Sequence, residues 1–193
     1  MLKVRVHGRG GQGAVTAAAL LSHAAFAEGR HAQAFPTFGS ERTGAPVVAF
    51  CRIDDEPIRI HEPISEPDAL IVQDATLLHQ VNVFDGLRPE GYVLLNSSRT
   101  LDELGVAEVR TGRRPDRLLT VPATAYARRY LGQPRPNAAL LGGFAALTGA
   151  VSLGSVLDAI RERFPGPVGE ANAKAARDAF DDVAQHRRQL ADA

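Results

Sequence analysis

The residues of this chain that could do chemistry are glycines and arginines more than acids and bases. The run Gly8-Arg9-Gly10-Gly11-Gln12-Gly13 follows a short apolar segment and opens an alanine-rich one. Glycine lets a backbone turn sharply and bring its amide N–H groups close to a ligand. A helix starting behind such a turn points its positive end at whatever the turn holds. The pattern is that of a cradle for an anion, usually a phosphate, with Arg9 and Gln12 expected as exposed donors beside it. A tight turn alone needs one or two glycines, not four in six positions. Each glycine costs ~0.5–1 kcal/mol over alanine where φ is not positive. The run therefore calls for close approach of a ligand or close packing of the chain.

Two further segments carry candidate residues. In Phe35 to Pro46, Arg42 beside Thr43 and Gly44 suits a phosphate or a partner's carboxylate. Glu41 next to it would instead make a plain surface pair of little value. In Arg135-Pro136-Asn137, Asn137 reads as the cap of a following helix. The helix dipole disfavours a cation at that end, so Arg135 sits more comfortably beside a bound anion. Asp74 and Asn96 end two apolar segments at the edge where α/β sheets bind ligands, and are weaker candidates. His7 reads as a hydrogen-bonded structural histidine and Cys51 as a core residue.

Composition narrows the function classes. With 22 basic and 22 acidic residues the net charge is zero, which argues against nucleic acid or an anionic membrane as the main partner. A single cysteine allows no internal disulfide, and no Cys-rich spacing for zinc or an iron–sulfur cluster exists. No metal ligand and no catalytic residue is assigned. The sequence opens on a strand rather than a signal peptide, and no apolar run approaches the ~20 residues of a membrane span. A cytoplasmic protein is expected.

The elements that must position these residues follow from patterning. Leu2 to His7 reads as a strand, Ala14 to Glu28 as a helix buried on more than one face, and His31 to Phe35 as a short strand. Val47 to Ile53 and Ile58 to Ile60, around Asp54-Asp55-Glu56-Pro57, read as a β-hairpin. Strands are expected at Asp68 to Asp74, Tyr92 to Asn96 and Leu118 to Val121. Helices are expected at Ala75 to Val83, Ala123 to Leu131, Asn137 to Gly149, Ser152 to Phe164 with Ser152 as cap, and Val168 to Leu190. Arg110 to Arg117 reads as a solvated loop. The fold class is α/β: a mostly parallel, mixed sheet flanked by helices, with a β-hairpin insertion, in one domain over residues 1–193.

Gly8, Gly10 and Gly13 also satisfy the dinucleotide fingerprint in its strand-to-helix context. That site wants an acidic residue ~20 positions on, and His31 to Phe35 offers none. A stand-alone NAD(P)-binding oxidoreductase is therefore the lesser reading.

The segments from His7 to Ala18, Phe35 to Pro46, Glu66-Pro67-Asp68 with Val72-Gln73-Asp74, Asn137 with Leu141 to Phe144, and Glu162 to Gly166 resemble the gamma subunit of 2-oxoacid:ferredoxin oxidoreductases. The pyruvate type, also called pyruvate synthase, is the nearest match. The resemblance implies a multi-subunit enzyme that converts a 2-oxoacid and coenzyme A to acyl-CoA and carbon dioxide, with electrons passed to ferredoxin. It implies thiamine diphosphate with magnesium, and iron–sulfur clusters, in partner subunits of the alpha, beta and delta types. It implies coenzyme A contacts at Gly8, Arg9, Gly10, Gly11, Gln12, Gly13, Arg42, Thr43, Gly44, Arg135 and Asn137. Branched-chain 2-oxoacid enzymes have similar gamma subunits. So do phenylglyoxylate enzymes, in which a flavin subunit passes electrons to NAD. A purely structural assembly subunit is the remaining alternative. Sizeable interfaces with the other subunits are expected, served by the long apolar helices and the alanine-rich tail.

Overall fold

Six strands form one mixed sheet in a computed structural model that describes residues 1–37 and 43–191. The strands are β1 (Leu2–Arg9), β2 (His31–Pro36), β3 (Pro46–Asp54), β4 (Ala69–Val72), β5 (Tyr92–Asn96) and β6 (Leu118–Val121). The helices are α1 (Ala14–Ala27), α2 (Ala123–Leu131), α3 (Asn137–Thr148), α4 (Leu153–Arg163) and α5 (Pro167–Ala191). The order across the sheet is β2-β3-β1-β4-β5-β6. β1, β4, β5 and β6 run parallel, and β3 is antiparallel to both β1 and β2. The expected α/β class with a mostly parallel, mixed sheet is what forms.

Alternation along the strands divides the core in two. Val4, Val6, Ile71 and Leu94 face the helical layer, among Leu21 of α1, Phe144 of α3 and Ile160 of α4. Leu70, Val72, Val93 and Leu95 face the other way, onto Leu77, Leu87, Leu101 and Leu104 of the connecting segments. The second face also buries Arg5 and His7 of β1. Arg5 donates to the carbonyls of Val83 (2.9 Å) and Asp85 (2.6 Å), which fixes that irregular segment to the sheet.

Several local expectations are corrected. The antiparallel part of the sheet comes from β2 and β3 docking on β1, because residues 58–60 form no strand and Ile60 is exposed. The helix expected over Ala75 to Val83 is a 3-10 helix over Ala75–His79. The arginine-rich stretch is tied down: Arg114 grips the buried Asp116 with two bonds of 2.9 Å, and Arg113 donates to the Leu87 carbonyl at 3.0 Å. Ser152 does cap α4, accepting from Ser155 N at 3.1 Å.

α3 and the alanine face of α5 are consumed inside the chain. α3 is buried around its whole circumference from Ala138 to Ala145. A Cβ on Gly142 would lie 1.9 Å from the Ala176 carbonyl oxygen, so α3 and α5 touch backbone to backbone. Ala173, Ala175, Ala176, Ala179 and Val183 of α5 complete that contact. The apolar sides of α3 and α5 are therefore taken up by contacts within the chain. Among the described residues no helix is long and apolar enough to cross a membrane.

Candidate functional site

The glycine run is built from two halves with different jobs. Gly8 still pairs with Val47 as part of β1. Gly10 bridges to Thr43, donating to the Ala45 carbonyl (2.9 Å) and accepting from Gly44 N (3.0 Å). Thr43 and Gly44 are thereby brought against the glycine loop. Arg42 lies outside the described residues. Gly11 to Gly13 then turn into α1, with Gly13 at φ 84°, the left-handed region that a side chain disfavours.

Arg9 and Gln12 are not the exposed donors that the sequence suggests. Arg9 Nε donates to Asp74 Oδ2 at 3.0 Å, and its other nitrogens reach the Gly44 carbonyl (3.0 Å), Thr76 Oγ1 (2.5 Å) and Gln80 Oε1 (3.0 Å). Gln12 Nε2 donates to the same Asp74 oxygen at 2.8 Å, while its Oε1 accepts from Arg9 N at 2.8 Å. The two side chains are fasteners that hold the loop's shape. Burial pushes the Asp74 carboxyl up, but bonds from Thr76 and Gln12 and the Arg9 charge outweigh it and hold the group below the usual carboxylate range. Asn96 is likewise structural, donating to the Gln73 carbonyl and Thr124 Oγ1 at 2.8 Å each.

Beyond the loop lies a cleft of about 460 Å³. Gly11, Gln12, Gly13 and Thr16 form one wall, Gln133, Arg135 and Asn137 a second, and Arg163, Val168 and Asn172 a third. Two helix N-termini open into it. α1 has no side-chain cap and no acid in its first turn, and the same is true of α3. The first bond within α1 runs from Ala17 N to the Gly13 carbonyl, so the N–H groups of Ala14 to Thr16 have no acceptor in the helix. Asn137 is the buried first residue of α3, not its cap. Its carboxamide packs on Gly13, where a Cβ would stand 2.9 Å from Nδ2. Among the described residues, the charged ones lining the cleft are Arg135 and Arg163, with no carboxylate. Unpaired amides, partial positive helix ends and two guanidinium groups make this a place for a phosphate-bearing anion.

The structure thus joins Gly11, Gln12, Gly13, Arg135 and Asn137 around one space, and sets Gly8, Arg9, Gly10, Thr43 and Gly44 behind it as its frame. Arg163 was missed by sequence reasoning. It lies in the last turn of α4, where a cation is favoured by the dipole anyway, so nothing marked it as a ligand residue. Its guanidinium sits 5.2 Å from the Phe164 ring centroid, which steers it at the cleft rim. His7 is buried, and burial next to Arg5 pushes it down to about 4, so it is neutral. Burial pushes the Cys51 thiol up to about 12, which makes it inert. Among the described residues no three His, Cys, Asp or Glu side chains converge as metal ligands.

The geometry also speaks against the dinucleotide reading. That site needs a second strand parallel to the first, with a carboxylate at its end. Here the antiparallel β3 lies between β1 and β2, so the second strand does not pair with the first, and it carries no acid.

Comparison with known proteins agrees. The family model for pyruvate ferredoxin/flavodoxin oxidoreductase matches residues 3–181. The pyruvate/ketoisovalerate oxidoreductases common subunit gamma of Pyrococcus abyssi is 51% identical, over 94% of this chain and 96% of its own. The crystal structure of the pyruvate oxidoreductase subunit PORC of Thermotoga maritima superposes with a TM-score of 0.78 at 34% identity, covering 93% of this chain and 95% of that one. The 2-oxoglutarate:ferredoxin oxidoreductase of Magnetococcus marinus, solved with 2-oxoglutarate, coenzyme A and succinyl-CoA, shares the fold. Its TM-score is 0.72 at 19% identity, with 96% of this chain matching 31% of that one.

Proposed function

Because the chain belongs to the pyruvate ferredoxin/flavodoxin oxidoreductase family as a subunit of the gamma type, we propose that it helps bind coenzyme A during oxidative decarboxylation of a 2-oxoacid, pyruvate foremost, to acyl-CoA and carbon dioxide. Electrons leave through partner subunits to ferredoxin. The observation that carries this reading is the cleft at Gly11 to Gly13. Among the described residues its charged lining is Arg135 and Arg163, and two uncapped helix ends open into it. Coenzyme A presents phosphates, which suit amide donors as well as guanidinium forks.

On this reading the chain holds and orients the co-substrate. Arg135 and Arg163 neutralise phosphate charge, the α1 amides donate to phosphate oxygens, and Asn137 offers its carboxamide at the back of the cleft. Thiamine diphosphate in a partner subunit supplies the carbanion chemistry at the oxoacid, and this chain supplies no proton-transfer group to it. A fold neighbour that holds coenzyme A, the Magnetococcus enzyme, supports the choice of ligand.

The name of the Pyrococcus relative couples pyruvate with ketoisovalerate, so a branched-chain oxoacid is the second substrate to assay beside pyruvate. The reading is tested with the intact complex and a coenzyme A analogue carrying a photoreactive adenine. Label is expected in the peptides around Gly11 to Thr16, Gln133 to Asn137 and Arg163 to Val168. Label confined to other subunits, competed by coenzyme A, would remove this chain from the binding site.

A further inference from the structure

The cleft at the glycine loop continues into a second space. Thr16 and Arg163 line the cleft and also a groove of about 450 Å³ between α1 and the end of α4. The groove changes character along its length. Beyond Thr16 its wall on α1 is apolar, made by Val15, Ala19 and Leu20. Val15, Ala19 and His23 stand four residues apart and so form one line along the helix. Val15 and Ala19 are exposed on that line. At the far end His23 Nε2 meets Glu162 Oε2 at 2.9 Å. From Thr16 to His23 the helix rises about 10 Å, comparable to the reach from a nucleotide's phosphate to the edge of its base.

The far end offers acceptors. With Nε2–H donating to the carboxylate, the neutral His23 ring presents Nδ1 as an acceptor, and Glu162 presents Oε1. Two neighbouring acceptors suit a group with two N–H donors, such as an aromatic amine, and repel a carbonyl oxygen. The apolar wall before them suits a flat ring. Among the described residues Glu162 is the one carboxylate lining either space, and it lines the groove and not the cleft.

On the coenzyme A reading above, on which this inference rests, the order of these features follows one half of the coenzyme. The helix ends and Arg135 in the cleft suit the pyrophosphate. Arg163 at the junction suits the 3′-phosphate on the ribose. The apolar groove suits the base, and the paired acceptors suit its exocyclic amine. The pantetheine arm does not follow this order. It brings no charge to the junction cation, and its thiol must reach an oxoacid carbon that this chain does not hold. We propose that the groove between α1 and α4 is the adenine-recognising end of the coenzyme site, with His23 and Glu162 as the residues that select the amine.

The test uses the assembled complex and three inhibitors read against coenzyme A: adenosine 3′,5′-bisphosphate, its hypoxanthine counterpart and 4′-phosphopantetheine. Ala19→Trp fills the groove from an exposed position, so the circular dichroism of the chain is expected to be retained. The variant is expected to weaken adenosine 3′,5′-bisphosphate about tenfold through the clash in the groove, with phosphopantetheine unchanged. The unaltered complex is expected to prefer the adenine inhibitor to the hypoxanthine one, and Glu162→Ala to abolish that preference. Weakening of phosphopantetheine by Ala19→Trp would give the groove to the pantetheine arm and overturn the proposal. Equal inhibition by the two bases in the unaltered complex would overturn it too. The coenzyme reading is checked separately with Arg135→Ala, which lies in the cleft and not in the groove. If Arg135→Ala weakens the inhibitors and Ala19→Trp weakens none, the cleft stands and the adenine end falls. If Arg135→Ala weakens none, the coenzyme reading falls and this proposal with it.

Discussion

Asp74 shows how a residue outside the cleft governs it. One carboxylate oxygen holds both Arg9 (3.0 Å) and Gln12 (2.8 Å), so the loop's amides are aimed by a group on another strand's end. Asp74→Asn is expected to raise the KM for coenzyme A several-fold and leave kcat within twofold, read by coenzyme titration of the complex. The charge is robust. A carboxyl held low in the folded chain contributes above its unfolded pKa and is lost as pH falls through the folded value, so the anchor persists at neutral pH and fails only in acid. His7 gives the other pH dependence. Its folded value of about 4 lies below the usual 6.5, so its neutral burial contributes fully above pH 6.5 and is lost as pH falls toward 4. The shift corresponds to about 3 kcal/mol. Denaturant titrations from pH 4.5 to 7 are expected to show stability rising with pH, and His7→Gln to flatten that rise.

At this scale the sequence exposes some roles and hides others. Gly11 to Gly13 and Arg135 stand out from residue type and neighbours alone, whereas Asn137 reads locally as a cap and meets the glycine loop only through its packing on Gly13. Arg9 does not stand out, because its partner Asp74 lies 65 positions away and only the β1–β4 pairing brings them together. Arg163 is hidden by having an ordinary explanation where it stands.

Among the elements, the helix contacts leave the least latitude. Gly142→Ala would set a methyl 1.9 Å from the Ala176 carbonyl oxygen, and relief requires α3 and α5 to part. Overpacking of this kind costs ~1–3 kcal/mol or more, and a lower melting temperature or loss of soluble chain is expected. Gly13→Ala tests the loop instead. Strain at φ 84° and the approach to Asn137 Nδ2 at 2.9 Å act together, so the variant is expected to fold with coenzyme affinity reduced about tenfold. A variant with unchanged affinity would show that the turn does not shape the site. Strand cores such as Tyr92–Asn96 and Leu118–Val121 follow directly from their apolar runs. The hairpin at Ile58 to Ile60 does not form, because β3 takes its partners from β1 and β2. Those pairings are set by the register of the whole sheet, which a local turn signal cannot report.

For the whole molecule, the division of labour is between a core that uses its own apolar helices and a surface that leaves the cleft at the glycine loop open. The isolated chain is expected to show no oxoacid-dependent viologen reduction, with activity restored on reconstitution with its partner subunits. The central claim is that the cleft between the glycine loop, Arg135 and Arg163 holds coenzyme A. The measurement that tests it most directly is steady-state kinetics of the assembled enzyme carrying Arg135→Ala and Arg163→Ala together. Losing two charge-assisted contacts is expected to raise the KM for coenzyme A on the order of a hundredfold, with the KM for pyruvate unchanged. An unchanged KM for coenzyme A in an assembled, active complex would contradict the account.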